Sequence, residues 1–288
     1  MSKGLGRLSV PHFFISSNNL SNNIVTIADK ENYNHIAKSL RAKIGENILL
    51  MDEHQIQYEG EIEKITSNSV EVKIIKSYKS TRNLDFELYL AQVPLRSDAQ
   101  SLIVEKATEL GVLGIYPIFT DNCVLKKSVI EQKIPKWQKI MIEASKQCER
   151  ASIPTCFKLH TMQELAQTSH LCHCETLSVD LDSEFTPKQP QPHMQKTGLC
   201  NNLNVQFDRI LAFTERSADF KMKTYLRENP ISKNEKILVI IGPEGGFSSK
   251  EFDFFAEKNI TTLSLGDLIL KAETAVITAI GNIVYEYE

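Results

Sequence analysis

Between Asn47 and Ile75 the apolar positions come in short runs separated by turn residues. Asn47–Met51 is apolar, Asp52–Gln55 turns, Gln57–Ile65 alternates, Ser67–Asn68 turns, and Val70–Ile75 alternates again. A period of two marks strands with one buried face. Strands this short and closely spaced predict a small barrel or sandwich. Just before them, Ala37–Lys43 (AKSLRAK) reads as a helix that brings Arg41 and Lys43 near Gly45.

From Leu84 the texture changes. Leu84–Gln92 reads as a strand, Asp98–Leu110 as a helix stopped by Gly111, Ile115–Phe119 as a strand and Ile134–Gln147 as a helix. Ile210–Thr214, Ile237–Ile241 and Thr262–Leu265 read as buried strands that each run into a loop, and Ala272–Tyr287 is a closing helix. Strands alternating with helices predict an α/β fold, a largely parallel sheet with helices on both faces. A chain of 288 residues is comfortable for two domains, and the change of texture places them at 1–78 and 79–288.

His170–Phe207 fits neither texture. It contains HLCHC, PKQPQPHM and NNLNVQ, a composition that predicts an exposed insertion loop. His170, Cys172, His173, Cys174, His193 and Cys200 are potential zinc ligands, but their C-x-C spacing is too tight for the usual knuckle. No metal site is predicted.

Composition changes this picture little: 42% hydrophobic, 24% charged residues belong to an ordinary globular protein. The formal charge of −3 excludes a global pull toward nucleic acid, so any RNA affinity must come from a local patch. Cys123–Arg150 carries seven lysines and arginines against three glutamates; charge alone reads equally as such a patch or as a solvated helix face. The N-terminal MSKGLGRLSV has no apolar core, and no apolar run approaches the length of a spanning helix. With six cysteines and no export signal, the expectation is reduced thiols, a cytoplasmic location and no membrane partner.

Four stretches carry candidate chemistry. In Ile237–Glu251 (ILVIIGPEGGFSSKE) an apolar strand enters Gly242-Pro243-Glu244-Gly245-Gly246, and Ser248 with Glu251 forms a capping box. Glycines at the carboxyl end of a parallel strand allow close approach of a ligand; without a ligand the same residues make a tight turn. Neither a Walker loop nor G-x-G-x-x-G is present, so phosphate binding is disfavoured. The second is the C-terminal run, where the loop Gly266–Lys271, apolar apart from Asp267 and Lys271, suits a flat heterocycle. The helix behind it has Val276, Ala279, Ile280, Ile283 and Val284 at helical spacing, which means core or a dimer surface. The third is Glu105–Val112 (EKATELGV), with Glu105 and Glu109 one turn apart, a pattern that surface charge also explains. The fourth is Glu143–Pro154, where Gln147 and Arg150 precede a proline-terminated loop.

GPEGGFS, LG-x-x-IL-x-x-ETA, KATELGV and EA-x-x-Q-x-x-R-x-x-IP in combination resemble the 16S rRNA uridine-N3 methyltransferase family (RsmE) of the SPOUT superfamily. His35, Leu40-Arg41, Gly45 and Tyr58 resemble its N-terminal domain. The resemblance covers nearly the whole chain. It implies a PUA-like β-barrel RNA-binding domain, a SPOUT-type knotted parallel sheet, and a homodimer acting on 16S rRNA or the small ribosomal subunit. It implies S-adenosylmethionine as cofactor, held by Phe213, Thr214 and Glu215, by Gly242, Pro243, Glu244, Gly245 and Gly246, and by Leu265, Gly266, Ile269 and Leu270, with Glu273 and Thr274 behind.

Methylating N3 requires loss of its weakly acidic proton. The catalytic candidates are Arg150 and Lys271, with Arg96, as cations, and Glu109 or Glu273 as orienting groups. Phosphate contacts fall to Arg7, Arg41, Lys43, Arg96 and Lys126. The chain departs from the family pattern: arginines are usual where it has Asn122, Leu268 and Lys271, and a lysine and a glutamate where it has Ala99 and Ser101. Lysine keeps the charge of arginine but lacks its planar fork. The alternatives are a SPOUT enzyme for another RNA and a non-catalytic RNA-binding protein that keeps the fold.

Overall fold

A computed structural model of the protein describes residues 11–80, 84–167, 205–215 and 218–287. The N-terminal part contains β1 (His12–Phe14), β2 (Leu20–Ser21), β3 (Ile24–Ile27), β4 (Asn47–Met51), β5 (Ile56–Ile65) and β6 (Val70–Lys79). They form one sheet in the order β1-β4-β5-β6-β3-β2, antiparallel except where β1 meets β4. The alternation works as period two requires. Tyr58, Ile62, Val70, Val72 and Ile74 enter a core with Phe13, Val25 and Leu50, while Glu61, Glu63 and Lys73 face water. The turn expected at Asp52–Gln55 is built by Asp52, whose carboxylate accepts from the N–H groups of His54 and Ile56, both at 2.9 Å.

One reading of this part needs correction. The helix expected over Ala37–Lys43 lies earlier. It starts as α1 (Lys30–Tyr33), capped by Asp29 on the Asn32 N–H at 2.8 Å, and continues as a π-helical turn over Asn34–Ser39. Arg41 then adopts a φ of 53°, outside any right-handed helix, so Lys43 lies beyond the helix.

The chain passes to the second sheet between the end of β6 at Lys79 and β7 (Glu87–Gln92). Then come α2 (Ser97–Glu109), β8 (Gly114–Phe119), α3 (Lys127–Gln147), β9 (Thr155–Cys156), β10 (His160–Thr161) and α4 (Met162–Gln167). β11 (Arg209–Phe213), β12 (Phe220–Lys221), α5 (Met222–Glu228), β13 (Lys236–Ile241), α6 (Ser249–Glu257), β14 (Thr261–Ser264) and α7 (Ala272–Tyr287) complete it. The order is β10-β8-β7-β13-β11-β14-β12, with β9 also on β8, and every pair is parallel.

β13 is central and buried on both faces, which is why it reads as an unbroken apolar run. Leu238 and Ile240 pack with Met162 and Leu165 of α4 and Phe255 of α6. Ile237, Val239 and Ile241 join the opposite core, which takes the buried faces of α2, α3 and α7. The α7 stripe Val276, Ala279, Ile280 and Ile283 is therefore core, which removes it from any dimer surface. Helix α3 begins two turns before the expected Ile134 and runs through Pro135. Burial of Ile130, Ile134, Trp137 and Met141 along one seam outweighs the lost N–H. Its far end rests on the first sheet: α3 lies against β1, and Lys146 reaches Glu31 at 3.7 Å.

The loop expected to be exposed over 170–207 is described only at its end, residues 205–207, and that end is not wholly exposed. Phe207 is buried, edge-on to Tyr89 at 5.3 Å and Tyr116 at 5.9 Å. His170, Cys172, His173, Cys174, His193 and Cys200 lie outside the described residues. On the same face Tyr116 stacks on Phe157 at 4.0 Å. A Cβ on Gly114 would stand 2.5 Å from the Phe157 ring and 3.2 Å from that of Tyr89. Gly114→Ala should therefore overpack this stack and destabilise the protein by about 2 kcal/mol. A urea midpoint equal to that of the unmodified protein would show that the rings yield freely.

Candidate active site

Three neighbouring strands stop at the same level. Phe213 of β11 pairs with Ile241 of β13 on one side and Leu263 of β14 on the other. Parallel strands in register must release their loops at one edge, the edge where open α/β sheets bind ligands. The loops at Phe213–Glu215, Gly242–Phe247 and Leu265–Lys271 enclose a cavity of about 560 Å³, within the range usual for small-molecule sites.

The cavity brings together Phe213, Thr214, Glu215, Gly242, Pro243, Glu244, Gly245, Gly246, Leu265, Gly266, Ile269, Leu270 and Lys271. Glu273 and Thr274, expected behind the third loop, sit in the first turn of α7 and are not among the lining residues. Phe247, Phe252 and Leu268 also line it. Sequence reasoning missed the two rings as wall residues, because nothing in their spacing says which way the side chain of Phe247, before the cap, or of Phe252, in α6, turns. Leu268 and Ile269 stand on the rim, 80% and 60% exposed.

The glycine loop is shaped by its neighbours. A Cβ on Gly242 would lie 3.1 Å from two atoms of the Phe247 ring, so the strand end passes under that ring only as glycine. Gly246 has a φ of +68°, and its N–H donates to the Pro243 carbonyl at 2.9 Å to close the turn. The expected capping box is formed: Ser248 and Glu251 exchange side-chain and backbone bonds at 3.4 and 2.7 Å. Buried Glu251 also accepts from the Asp121 N–H at 3.0 Å, and Ser248 Oγ donates to Asp121 at 2.7 Å. The β8–α3 loop is thereby fastened to the glycine loop.

Chemically the cavity offers apolar walls, two exposed carboxylates (Glu215 and Glu244), one exposed lysine (Lys271) and Thr214, whose Oγ1 is buried without a hydrogen-bond partner. A buried unsatisfied hydroxyl is costly and commonly marks the place of a missing partner. Among the described residues no group of three or more His, Cys, Asp or Glu could hold a metal, and no helix is long and apolar enough to cross a membrane.

The other candidates lie elsewhere. Glu109 is bonded to Lys106 at 2.9 Å in a separate groove of about 680 Å³ between α2 and α3. Arg96 and Lys126 are exposed N-cap residues of α2 and α3, and Arg41 and Lys43 are exposed in the first sheet's α1–β4 connection. Arg7 lies outside the described residues.

Arg150 requires correction. It is only 7% exposed and lies away from the cavity, with its guanidinium donating to the carbonyls of Thr108, Val112 and Gly111 at 2.6, 2.9 and 3.3 Å. These are carbonyls at the end of α2 and just beyond it, the groups a helix leaves without internal partners. Burial lowers the Arg150 pKa to about 10, so the cation persists at neutral pH and its charge is spent inside the fold.

Comparison with known proteins bears on the same features. The family model described as an RNA methyltransferase domain matches residues 82–284, and that of an RNA methyltransferase PUA domain matches residues 27–75. The chain is similar to the ribosomal RNA small subunit methyltransferase E of Rickettsia conorii, 27% identical over 94% of this chain and 93% of that protein. It is similar to the Bacillus subtilis protein of the same name, 24% identical over 90% and 89%. In fold it resembles the crystal structure of a ribosomal RNA small subunit methyltransferase E from Neisseria gonorrhoeae bound to S-adenosyl methionine. That likeness has a TM-score of 0.72, covers 96% of this chain and 98% of the other, and has 20% identity.

Arg150 joins the end of α3 to the end of α2, so its loss should appear first as instability. Arg150→Ala removes the guanidinium from three carbonyls, of which Thr108 keeps the Gly111 N–H at 3.2 Å, and should cost about 3 kcal/mol, visible as a lower denaturation midpoint. An unchanged midpoint together with lost turnover would return Arg150 to the reacting centre.

Proposed function

Because the chain belongs to the RNA methyltransferase family, whose domain model covers residues 82–284, we propose that it methylates N3 of a uridine in 16S rRNA with S-adenosylmethionine. The observation that carries this reading is the cavity formed where β11, β13 and β14 end together. The names of its relatives, ribosomal RNA small subunit methyltransferases, support the substrate.

The residues present suit the cofactor. Leu265, Leu268, Ile269 and Leu270 with the Phe247 ring make a slot for a flat heterocycle, and Thr214 Oγ1 lacks a partner that a ligand would provide. Glu215 and Glu244 favour a ligand carrying positive charge. Bound there, S-adenosylmethionine would supply an activated methyl on sulfur for transfer to N3, whose proton must be given up for the transfer. Lys271, the one cation lining the cavity among the described residues, stabilises the negative charge that develops on the uracil as that proton is lost. Orientation of the two reactants supplies much of the remaining rate.

Phosphates are tracked by local cations, because the whole chain is weakly acidic. Exposed Arg41 and Lys43 on the first domain and Arg96 and Lys126 on the second are the contacts in this reading. The working unit is a homodimer. With the α7 stripe committed to the core, a surface that could receive a second copy is the apolar rim of Leu268 and Ile269 with Tyr285, which is 85% exposed at the end of α7. Leu268 stands where an arginine is usual in the family, which favours, as a second reading, a different RNA target.

Purified protein incubated with S-adenosylmethionine and 16S rRNA, free or in small subunits, should yield N3-methyluridine in a nucleoside digest analysed by mass spectrometry. Methylation of another RNA instead would establish the second reading, and binding without transfer would establish a binding module. Lys271→Met should lower the rate at saturating substrates by roughly 100-fold while leaving cofactor affinity within a factor of two. An unaffected rate would remove Lys271 from the chemistry. Light scattering at micromolar concentration should give twice the 32.6 kDa chain mass; a monomer would refute the dimer.

A further inference from the structure

Asn122 lies outside the cavity lining, in the β8–α3 loop, and is exposed. Its side-chain amide nevertheless donates to two successive carbonyls of the glycine loop, those of Gly245 and Gly246, each at 3.1 Å. For one NH₂ group to reach both, the two carbonyls must point the same way. In extended backbone successive carbonyls point to opposite sides, so the residue between the two peptides must turn. That residue is Gly246, with its φ of +68°. The left-handed glycine and the bridging amide are therefore one device.

The fit is close on both flanks. A Cβ on Gly245 would approach Asn122 Cβ to 3.2 Å, and one on Gly246 would come within 3.4 Å of Glu215 Oε1. The glycine loop is thus clasped between the loop after β8 and the loop after β11. Its further course is pinned by the Asp121 bonds to Ser248 and Glu251. Asp121 holds the segment that follows the turn, whereas Asn122 holds the turn itself.

We propose that Asn122 is a positioning residue for the cofactor: its bond to the Gly245 and Gly246 carbonyls fixes the glycine loop in the shape that receives S-adenosylmethionine. The proposal rests on reading the cavity as the S-adenosylmethionine site. Because a peptide unit is planar, turning its carbonyl toward Asn122 also sets its N–H on the opposite side. Without the amide the two glycines, the most permissive residues in the chain, sample other shapes, and ligand binding must bear the ordering cost.

The test is calorimetric titration of the full chain with S-adenosylmethionine, comparing Asn122→Ala and the near-isosteric Asn122→Asp with the unmodified protein. Both variants lose the donor, and both should weaken binding about tenfold, the size expected when such a bond is removed. The loss should reappear in KM for S-adenosylmethionine and be absent from KM for RNA. The melting temperature should hold, because Asn122 is a surface residue. Unchanged binding in both variants overturns the proposal, as does a loss that accompanies a lowered melting temperature. Failure of the unmodified protein to bind S-adenosylmethionine overturns the cofactor reading itself, and the proposal with it.

Discussion

The row Ile241, Phe213 and Leu263, where three parallel strands end side by side, is the constraint on which the rest depends. In-register parallel pairing gives the chain no choice about where the following loops emerge. Three segments far apart in sequence meet at one edge, and none of them forms a binding surface alone. The sheet can impose this only because β13 is covered on both faces, by α2, α3 and α7 on one side and by α4 and α6 on the other. Burial of the apolar run fixes the register, and the register makes the cavity.

Rigid strands do not by themselves make rigid loops. The glycine loop carries its freedom as a consequence of close packing, since Gly242 must pass under the Phe247 ring and Gly246 must hold a positive φ. That freedom is removed from outside, by Asp121, Asn122 and buried Glu251. The same β8–α3 loop leads into α3, whose far end meets the N-terminal part through Lys146 and Glu31 of α1. A continuous run of packed and bonded residues thus joins the cavity to the N-terminal domain. Arg150 belongs to this frame, because it ties the end of α3 to the end of α2.

How much of this was legible in the sequence depended on length and on the range of the contacts. Long buried strands such as β13 and the period-two strands β5 and β6 announce themselves, and the Ser248–Glu251 capping box is local enough to read directly. Three-residue β1 and two-residue β2 carry no period, and Pro135 masked the first two turns of α3 because tertiary burial overrides a local breaker. The three cavity loops were found as motifs, and resemblance rather than spacing tied them to one ligand. Arg150 was misplaced for a physical reason: a guanidinium near a proline loop looks the same in sequence whether it serves a substrate or three main-chain carbonyls. Asn122 was noticed only as a departure, since its partners lie 123 and 124 residues away.

Lys271 shows why the rim of the cavity matters as much as its floor. In the single chain this lysine is exposed, and a charge in bulk water does little for an anion a few ångströms away, because the solvent screens it. Its neighbours Leu268 and Ile269 are among the most exposed apolar side chains of the described protein. An apolar rim left in water is a surface waiting to be covered, whether by a second copy or by the target RNA. Covering it would expel water from the mouth of the cavity, and any attraction between Lys271 and a bound anion would strengthen as the local dielectric falls. In such an arrangement the charge of Lys271 would act most strongly once the rim is covered. A rim of arginines would hold its charge in the open. Leucine at position 268 offers instead an apolar surface, 80% exposed in the single chain.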